Sequence, residues 1–180
     1  MTPRLLLLAP LCIFLIIGGF LWKGLALKPQ ELPSVLIGQT APPFQLSTVE
    51  DPTRHVTEAL FQGHVTILNI WATWCSSCQT EHELWMQLAK KQDALFLVGL
   101  NYHDGLEDAK NWLKNLGNPY RLTLFDQNGR VGMDYGVYGT PETFIIDKRG
   151  VIRHRHVGPM DAMVWQEKLL PMIGVLENEK

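Results

Sequence analysis

HVTILNIWATWCSSCQTEHELWMQLAKK, residues 64–91, decides the fold. It opens on a short run that is apolar on both faces, with Val65, Ile67, Leu68, Ile70 and Trp71, the pattern of a buried central strand. Cys75-Ser76-Ser77-Cys78 interrupts that run, and Glu81, Leu84, Trp85 and Leu88 then recur at helical spacing. Residues three apart on a helix share a face, with Cα atoms about 5 Å apart. A disulfide can bridge that separation, so the pair can close and open without large backbone movement. The first cysteine falls at the helix N-terminus, where unpaired N–H groups and the helix dipole favour an anion. Cysteines in such motifs have a pKa of roughly 3.5–7.5 rather than about 8.5. Cys75 is therefore the expected nucleophile, and Cys78, one turn inward, the expected resolving thiol.

Three other chemistries use paired cysteines. A structural zinc site needs four ligands; His82 offers a third, but the remaining cysteine, Cys12, lies in an apolar segment. Covalent haem attachment needs a histidine directly after the second cysteine, where Gln79 stands. A purely structural disulfide closing so small a loop adds little chain-entropy stabilisation. Redox exchange is the reading that survives.

The 180 residues have room for one domain and an appendage. A formal net charge of -2 with 19% charged residues gives no basic surface for nucleic acid. Residues 5–22 contain no charge, and as a helix they span about 27 Å, close to the thickness of a bilayer core. A cleavable signal peptide has a shorter apolar run of about 7–15 residues and a small-residue exit, which residues 23–27 do not offer. An uncleaved signal anchor over 5–23 is expected, after a short tip at 1–4. The flanking charges, Arg4 on one side and Lys23 and Lys28 on the other, do not set its orientation. Residues 24–43, with Pro29, Pro33, Pro42 and Pro43, read as a tether, and residues 44–176 as the domain.

Beyond the cysteine helix, residues 94–100 read as a second buried strand. Leu106, Ala109, Trp112, Leu113 and Leu116 form a helical stripe that Gly117 ends. Residues 122–125 read as a strand, followed by a turn over 126–129. Two further strands flank Asp147-Lys148-Arg149-Gly150 as an antiparallel hairpin. Asp161 caps a C-terminal helix with Val164, Trp165 and Leu169 on its apolar side. His154 and His156 share one strand face, too few ligands for a metal site. Strands alternating with helices, then a hairpin, indicate an α/β sandwich with helices on both faces of a mixed sheet.

Trp71-Ala-Thr-Trp74-Cys75-x-x-Cys78-x-x-Glu81-His82, followed by Gly136-Val-Tyr-Gly139-Thr140-Pro141-Glu142-Thr-Phe144, resembles the DsbE (CcmG) family. These are membrane-anchored thiol–disulfide oxidoreductases of cytochrome c maturation. Asn118-Pro119-Tyr120, Leu124-Phe125-Asp126 and Pro33-Ser34-x-Leu36-Ile37-Gly38 extend the similarity over nearly all of the chain after the anchor. The resemblance implies a thioredoxin-like fold on the periplasmic side of a bacterial inner membrane, held by one span, with no cofactor. It implies a reductant for the haem-binding cysteines of apocytochrome c or for a partner thiol protein, fed by a transmembrane thiol reductant. It also implies a cis bond before Pro141 beside Cys75, with Trp74, Thr140 and Pro141 receiving the partner. There Thr140 could pair with an extended partner segment, and Glu142 would sit at the rim.

Two positions depart from the pattern. Ser76-Ser77 lacks the proline common between the cysteines, which would preset the first helical turn. Asn69 stands where thioredoxins carry a buried acid for the second cysteine's proton; that role falls to Glu142, Glu81 or water. Glu142 either transfers protons, selects partners by charge, or is simply a solvated acid at a strand start. The rival functions are a copper chaperone, which would want a longer gap between the cysteines, a non-catalytic apocytochrome scaffold, and a general periplasmic disulfide oxidase.

Overall fold

A computed structural model describes residues 3–26, 35–91 and 95–179; in the first of these, side chains are described for residues 10–24. In chain order the elements are α1 (Pro3–Ala26), β1 (Gln45–Thr48), β2 (His55–Thr57), a 3-10 turn (Glu58–Phe61), β3 (Thr66–Trp71) and α2 (Ser76–Lys91). Then follow β4 (Phe96–Tyr102), α3 (Leu106–Leu116), β5 (Leu122–Asp126), α4 (Arg130–Asp134), β6 (Glu142–Ile146) and β7 (Ile152–Val157). The C-terminal helical segment consists of α5 (Ala162–Val164), a π-helical turn (Trp165–Leu169) and α6 (Leu170–Asn178).

The chain divides into the units Met1–Leu32 and Pro33–Lys180. In the first, α1 covers the charge-free run. Among the described residues no helix is long and apolar enough to cross a membrane, side chains of α1 being described only over 10–24. Residues 1–2, residues 27–34 of the expected tether and residue 94 of the expected second strand lie outside the described residues.

In the second unit the strands form one sheet in the order β2-β1-β5-β4-β3-β6-β7. β3, β4 and β5 are parallel neighbours, while β6, β7, β1 and β2 join antiparallel. The sheet is mixed, as the sequence indicates. Side chains alternate between faces along each strand, because the strand period is two. Ile67 and Trp71 of β3 point to the face covered by α2, α3 and the C-terminal helical segment, with Trp85, Leu113, Trp165 and Leu169 in that core. Leu68 and Ile70 point to the other face, against Phe44, Phe61, Val131 and Tyr135. β3 is buried at every residue, which explains its apolar character on both faces.

Several local expectations are met. Gly117 ends α3 with φ 91°. Gly129 closes the turn after β5 with φ 69°, its N–H donating to the Asp126 carbonyl oxygen. Asp147 organises the β6–β7 hairpin, its Oδ1 accepting from the amides of Arg149 and Val151. Asp161 caps the C-terminal helical segment, accepting from the Val164 amide at 2.7 Å.

Others are corrected. The folded unit does not begin at Phe44: Gly38 donates its amide to the Ile152 carbonyl at 2.7 Å, Ala41 donates to Gly150 at 2.8 Å, and Ala41 is buried. Residues 38–41 of the segment read as a tether are thus bound at the start of β7, where they satisfy backbone groups of the outer strand. The C-terminal end also extends further, with Glu179 paired to Arg153. The β1–β2 hairpin and α4 were not expected. The residues between Gln45 and Thr57 are polar and short in period; β1 becomes a strand by pairing with β5, and β2 by pairing with β1.

Gly99 on β4 makes the α2 side of the sheet possible at its crowded centre. A Cβ there would lie 2.8 Å from Trp71 Nε1 and 2.9 Å from Tyr120 Cδ2. Gly99→Ala is expected to lower stability by about 1–3 kcal/mol through overpacking. The denaturant midpoint of the purified protein measures it, and an unchanged midpoint would contradict the packing.

Candidate active site

The cysteine motif straddles the start of α2. Cys75 precedes the first helical residue, and its Sγ accepts from the Cys78 amide at 3.0 Å, the place a capping oxygen would take. Cys75 and Cys78 are joined as a disulfide with Cα atoms 5.3 Å apart, the separation expected of helical i,i+3 partners. Cys75 keeps 6% exposure and Cys78 only 1%, so the first sulfur is the one nearer solvent. An amide aimed at Cys75 Sγ, together with the helix dipole, favours a thiolate there once the disulfide opens.

The loop in front of Cys75 is held by Asp104, which follows β4. Its carboxylate accepts from the Thr73 amide and hydroxyl at 2.6 and 2.7 Å, from Asn101 Nδ2 at 2.9 Å and from the Gly105 amide at 2.8 Å. Beside it, His103 adopts φ 49° and its carbonyl accepts from Trp74 Nε1 at 3.0 Å. The Trp74 ring nevertheless remains 58% exposed, an aromatic platform next to Cys75. Nothing in the sequence marked Asp104. Its role appears only when the ends of β3 and β4 come side by side.

Glu81 lies one turn along α2 from Cys78 and is buried. Its Oε1 accepts from Asn69 Nδ2 at 2.8 Å and its Oε2 from the Met160 amide at 2.6 Å. No salt-bridge partner reaches it among the described residues. Burial therefore dominates, and despite those hydrogen bonds the carboxyl is pushed up to about 7. Asn69 is directed to this face by strand alternation, two residues before Trp71. The amide that replaces a titratable acid in β3 thus touches the acid supplied by the helix.

Glu142 lies elsewhere than expected. It is fully buried and not at a rim, and it shares the opposite sheet face with Phe144 and Ile146. Arg155 of β7 grips it through Nε at 2.7 Å and Nη2 at 2.9 Å. The same guanidinium donates to the Gly136 carbonyl at 2.9 Å and lies 4.8 Å from the Tyr138 ring centre. Glu142 Oε1 also accepts from the Tyr138 amide at 3.3 Å. The reading of a solvated acid falls as well. The pair braces the loop that leads to Pro141.

The Thr140–Pro141 bond is cis. Pro141 is buried and its carbonyl accepts from the Gly158 amide at 3.0 Å, while the buried Thr140 hydroxyl has no partner among the described residues. His82, the third ligand of the zinc alternative, turns its Nε2 to the Gly117 carbonyl at 3.1 Å, and burial lowers its pKa. Among the described residues no three His, Cys, Asp or Glu side chains gather as for a metal ion.

The two buried acids predict different behaviour. Arg155→Met leaves Glu142 buried and unpaired, which is expected to cost about 3–5 kcal/mol in urea unfolding. Adding Glu142→Leu is expected to restore most of that loss; equal instability of single and double variants would contradict the pairing. For Glu81 the folded pKa lies above its ordinary 4.5. Its contribution to stability is therefore fully present below about pH 4.5 and lost as the pH rises through about 7. The loss is on the order of 3 kcal/mol. Urea unfolding of the oxidised protein from pH 4 to 8 should show that part of the decline, and Glu81→Gln should remove it.

Comparison with known proteins places this architecture. The Redoxin family model matches residues 36–168. The thiol:disulfide interchange protein DsbE of Pseudomonas aeruginosa is 48% identical over 176 residues, covering 98% of this chain and 97% of that protein. The DsbE of Escherichia coli K12 is 45% identical over 175 residues, 94% of each chain. A crystal structure of a thiol:disulfide interchange protein of the thioredoxin family from Chlorobium tepidum superposes with a TM-score of 0.61 at 26% identity, covering 76% of this chain and 94% of that one. The fold is thioredoxin-like, the dithiol sits where a thiol–disulfide oxidoreductase needs it, and the chain belongs to the DsbE family of thiol:disulfide interchange proteins.

Proposed function

We propose that this oxidoreductase works as a membrane-tethered periplasmic reductant in cytochrome c maturation, with Cys75 as nucleophile and Cys78 as resolving thiol. The observation that carries the mechanism is the Cys75 sulfur at the α2 N-terminus, capped by the Cys78 amide, with Glu81 one turn behind. In the reduced protein the Cys75 thiolate attacks one sulfur of a partner disulfide. A mixed disulfide forms and the partner's other sulfur leaves as a thiolate. Cys78 then gives its proton to the Glu81 carboxylate, attacks Cys75 Sγ and releases the partner's second thiolate. Two electrons have passed to the partner, and the Cys75–Cys78 disulfide remains.

Residues i and i+3 of a helix are neighbours, so Glu81 is within reach of the Cys78 thiol. A carboxyl near 7 can take a proton and release it again at neutral pH. Glu142 is assigned no proton role, because it faces away from α2 and is held by Arg155. Trp74 supplies the exposed partner-facing surface, with Thr140 and the buried Pro141 in the loop that leads to β6. The partner proposed is apocytochrome c, whose haem-binding cysteines must be reduced, or a thiol protein that serves it. A transmembrane dithiol reductant restores the Cys75–Cys78 pair.

The anchor proposal rests on the charge-free run over 5–22 and its helix, Pro3–Ala26. Large apolar side chains are exposed all around it, among them Leu11, Phe14, Phe20 and Trp22. A helix apolar on every side needs an apolar surrounding, and a bilayer supplies it.

Three measurements on the full-length chain test the redox assignment. Alkylation of the reduced protein should modify Cys75 first, with a midpoint below the roughly 8.5 of a free thiol; earlier labelling of Cys78 would reverse the roles. A redox titration should place the pair nearer the potential of thioredoxin, about -270 mV, whereas a value near -120 mV would make it an oxidase. Cys75→Ser should abolish partner reduction, while a scaffold would still function.

A further inference from the structure

Asn69 is completely buried, and every polar group of its side chain is engaged. Oδ1 accepts from the Tyr120 hydroxyl at 2.7 Å; Nδ2 donates to Glu81 Oε1 at 2.8 Å and to Thr143 Oγ1 at 3.3 Å. An amide can be turned end for end, and the two orientations differ for a neighbouring carboxyl group. Nδ2 toward Glu81 offers a proton and favours the carboxylate. Oδ1 toward Glu81 asks for one and favours the acid.

Tyr120 settles the choice. Burial, with the Glu81 charge as a second cause, holds its hydroxyl far above the usual tyrosine range, so it always has a proton to give. The acceptor it meets is Asn69 Oδ1, and a flipped amide would leave that proton stranded in the core. The ring itself is held in place, parallel to Trp71 at 5.9 Å, in the space that Gly99 leaves open. Its backbone amide donates to Asn118 Oδ1 at 2.9 Å.

We propose that Tyr120 is a positioning residue for the proton step: through Asn69 it keeps an N–H aimed at Glu81, and so keeps the carboxylate ready to receive the Cys78 proton. This rests on Glu81 being the acceptor of that proton. The other groups that face Glu81 are few. Cys78 and Trp85 lie on its own helix, with His82 turned to Gly117; Thr143 faces it from β6 and the Met160 amide from the segment after β7. His154 and His156 share that sheet face on β7, and Lys168 of the C-terminal segment acts on His154.

Tyr120→Phe keeps the ring and its stacking and removes only the hydroxyl. In the oxidised full-length chain, where neither cysteine titrates, carbon-13 NMR of the Glu81 carboxyl should show its midpoint move upward from about 7. The expected shift is about one pH unit, a tenfold change in the ratio of carboxylate to acid. In the reduced chain, the pH profile for resolution of the mixed disulfide should move upward equally, with the high-pH rate retained. An unshifted Glu81 midpoint in folded Tyr120→Phe overturns the proposal. Should that variant not fold, the unaltered chain decides. The Asn69 side-chain amide resonances should follow the Glu81 titration, and lose that dependence in Glu81→Gln; resonances indifferent to it overturn the proposal. Failure of the underlying reading looks different: Glu81→Gln would then leave the pH profile of resolution unchanged, whatever Tyr120→Phe does to the Glu81 midpoint.

Discussion

The two-residue alternation of the central strands governs this site. β3 and β6 are neighbours inside the sheet, buried at every position, so a side chain's parity decides which core it enters. Asn69 and Thr143 pair across the two strands and both face α2. Glu142, one residue before Thr143, therefore faces the other way. Neighbours in sequence become residents of different cores, and their chemistry separates accordingly.

The buried carboxylates Glu81 and Glu142 show what that separation does. Glu142 meets a guanidinium that matches it with two hydrogen bonds, so its charge is compensated where it lies. The pair also ties Gly136 and Tyr138 to β7, which gives the loop before Pro141 a fixed shape. Among the described residues Glu81 meets neutral donors alone, chiefly an amide side chain and a backbone N–H. Two such hydrogen bonds do not offset the desolvation of a charge, and the carboxyl is left near neutrality. One acid is an ion-paired brace and the other a carboxyl raised toward neutrality, although both are buried. What distinguishes them is the charge of the partner.

Around the sulfurs the same division of labour recurs. α2 supplies the amide that caps Cys75, a local effect of helix geometry. Asp104 supplies the constraint on Thr73, which is a long-range effect of β3 and β4 lying parallel in register, Trp71 opposite Asn101. Cys75 is therefore seated between the helix start and a loop pinned by a carboxylate from the neighbouring strand end. Trp74 can stay exposed there because its indole N–H is already satisfied by the His103 carbonyl.

The sequence by itself determined whatever depends on spacing along the chain. The cysteine pair at a strand–helix junction, the burial of the strand that leads to it, the glycine at the end of α3, the Asp147 hairpin and the Asp161 cap all follow from local periodicity and turn chemistry. Resemblance added the position of the cis bond before Pro141. Tertiary structure alone decided which buried polar groups meet. Residues 45–48 and 55–57 are too polar to announce strands; the first pairs with the edge of β5 and the second with the first. Asn69 and Tyr120 are 51 positions apart, Glu81 and Met160 are 79 apart, and no period along the chain links either pair. Glu142 and Arg155 likewise find each other through the β6–β7 register. The physical reason is that a buried polar group must be satisfied by whatever donor or acceptor the packed core brings to it. That partner is set by sheet order and face, which the chain acquires only on folding.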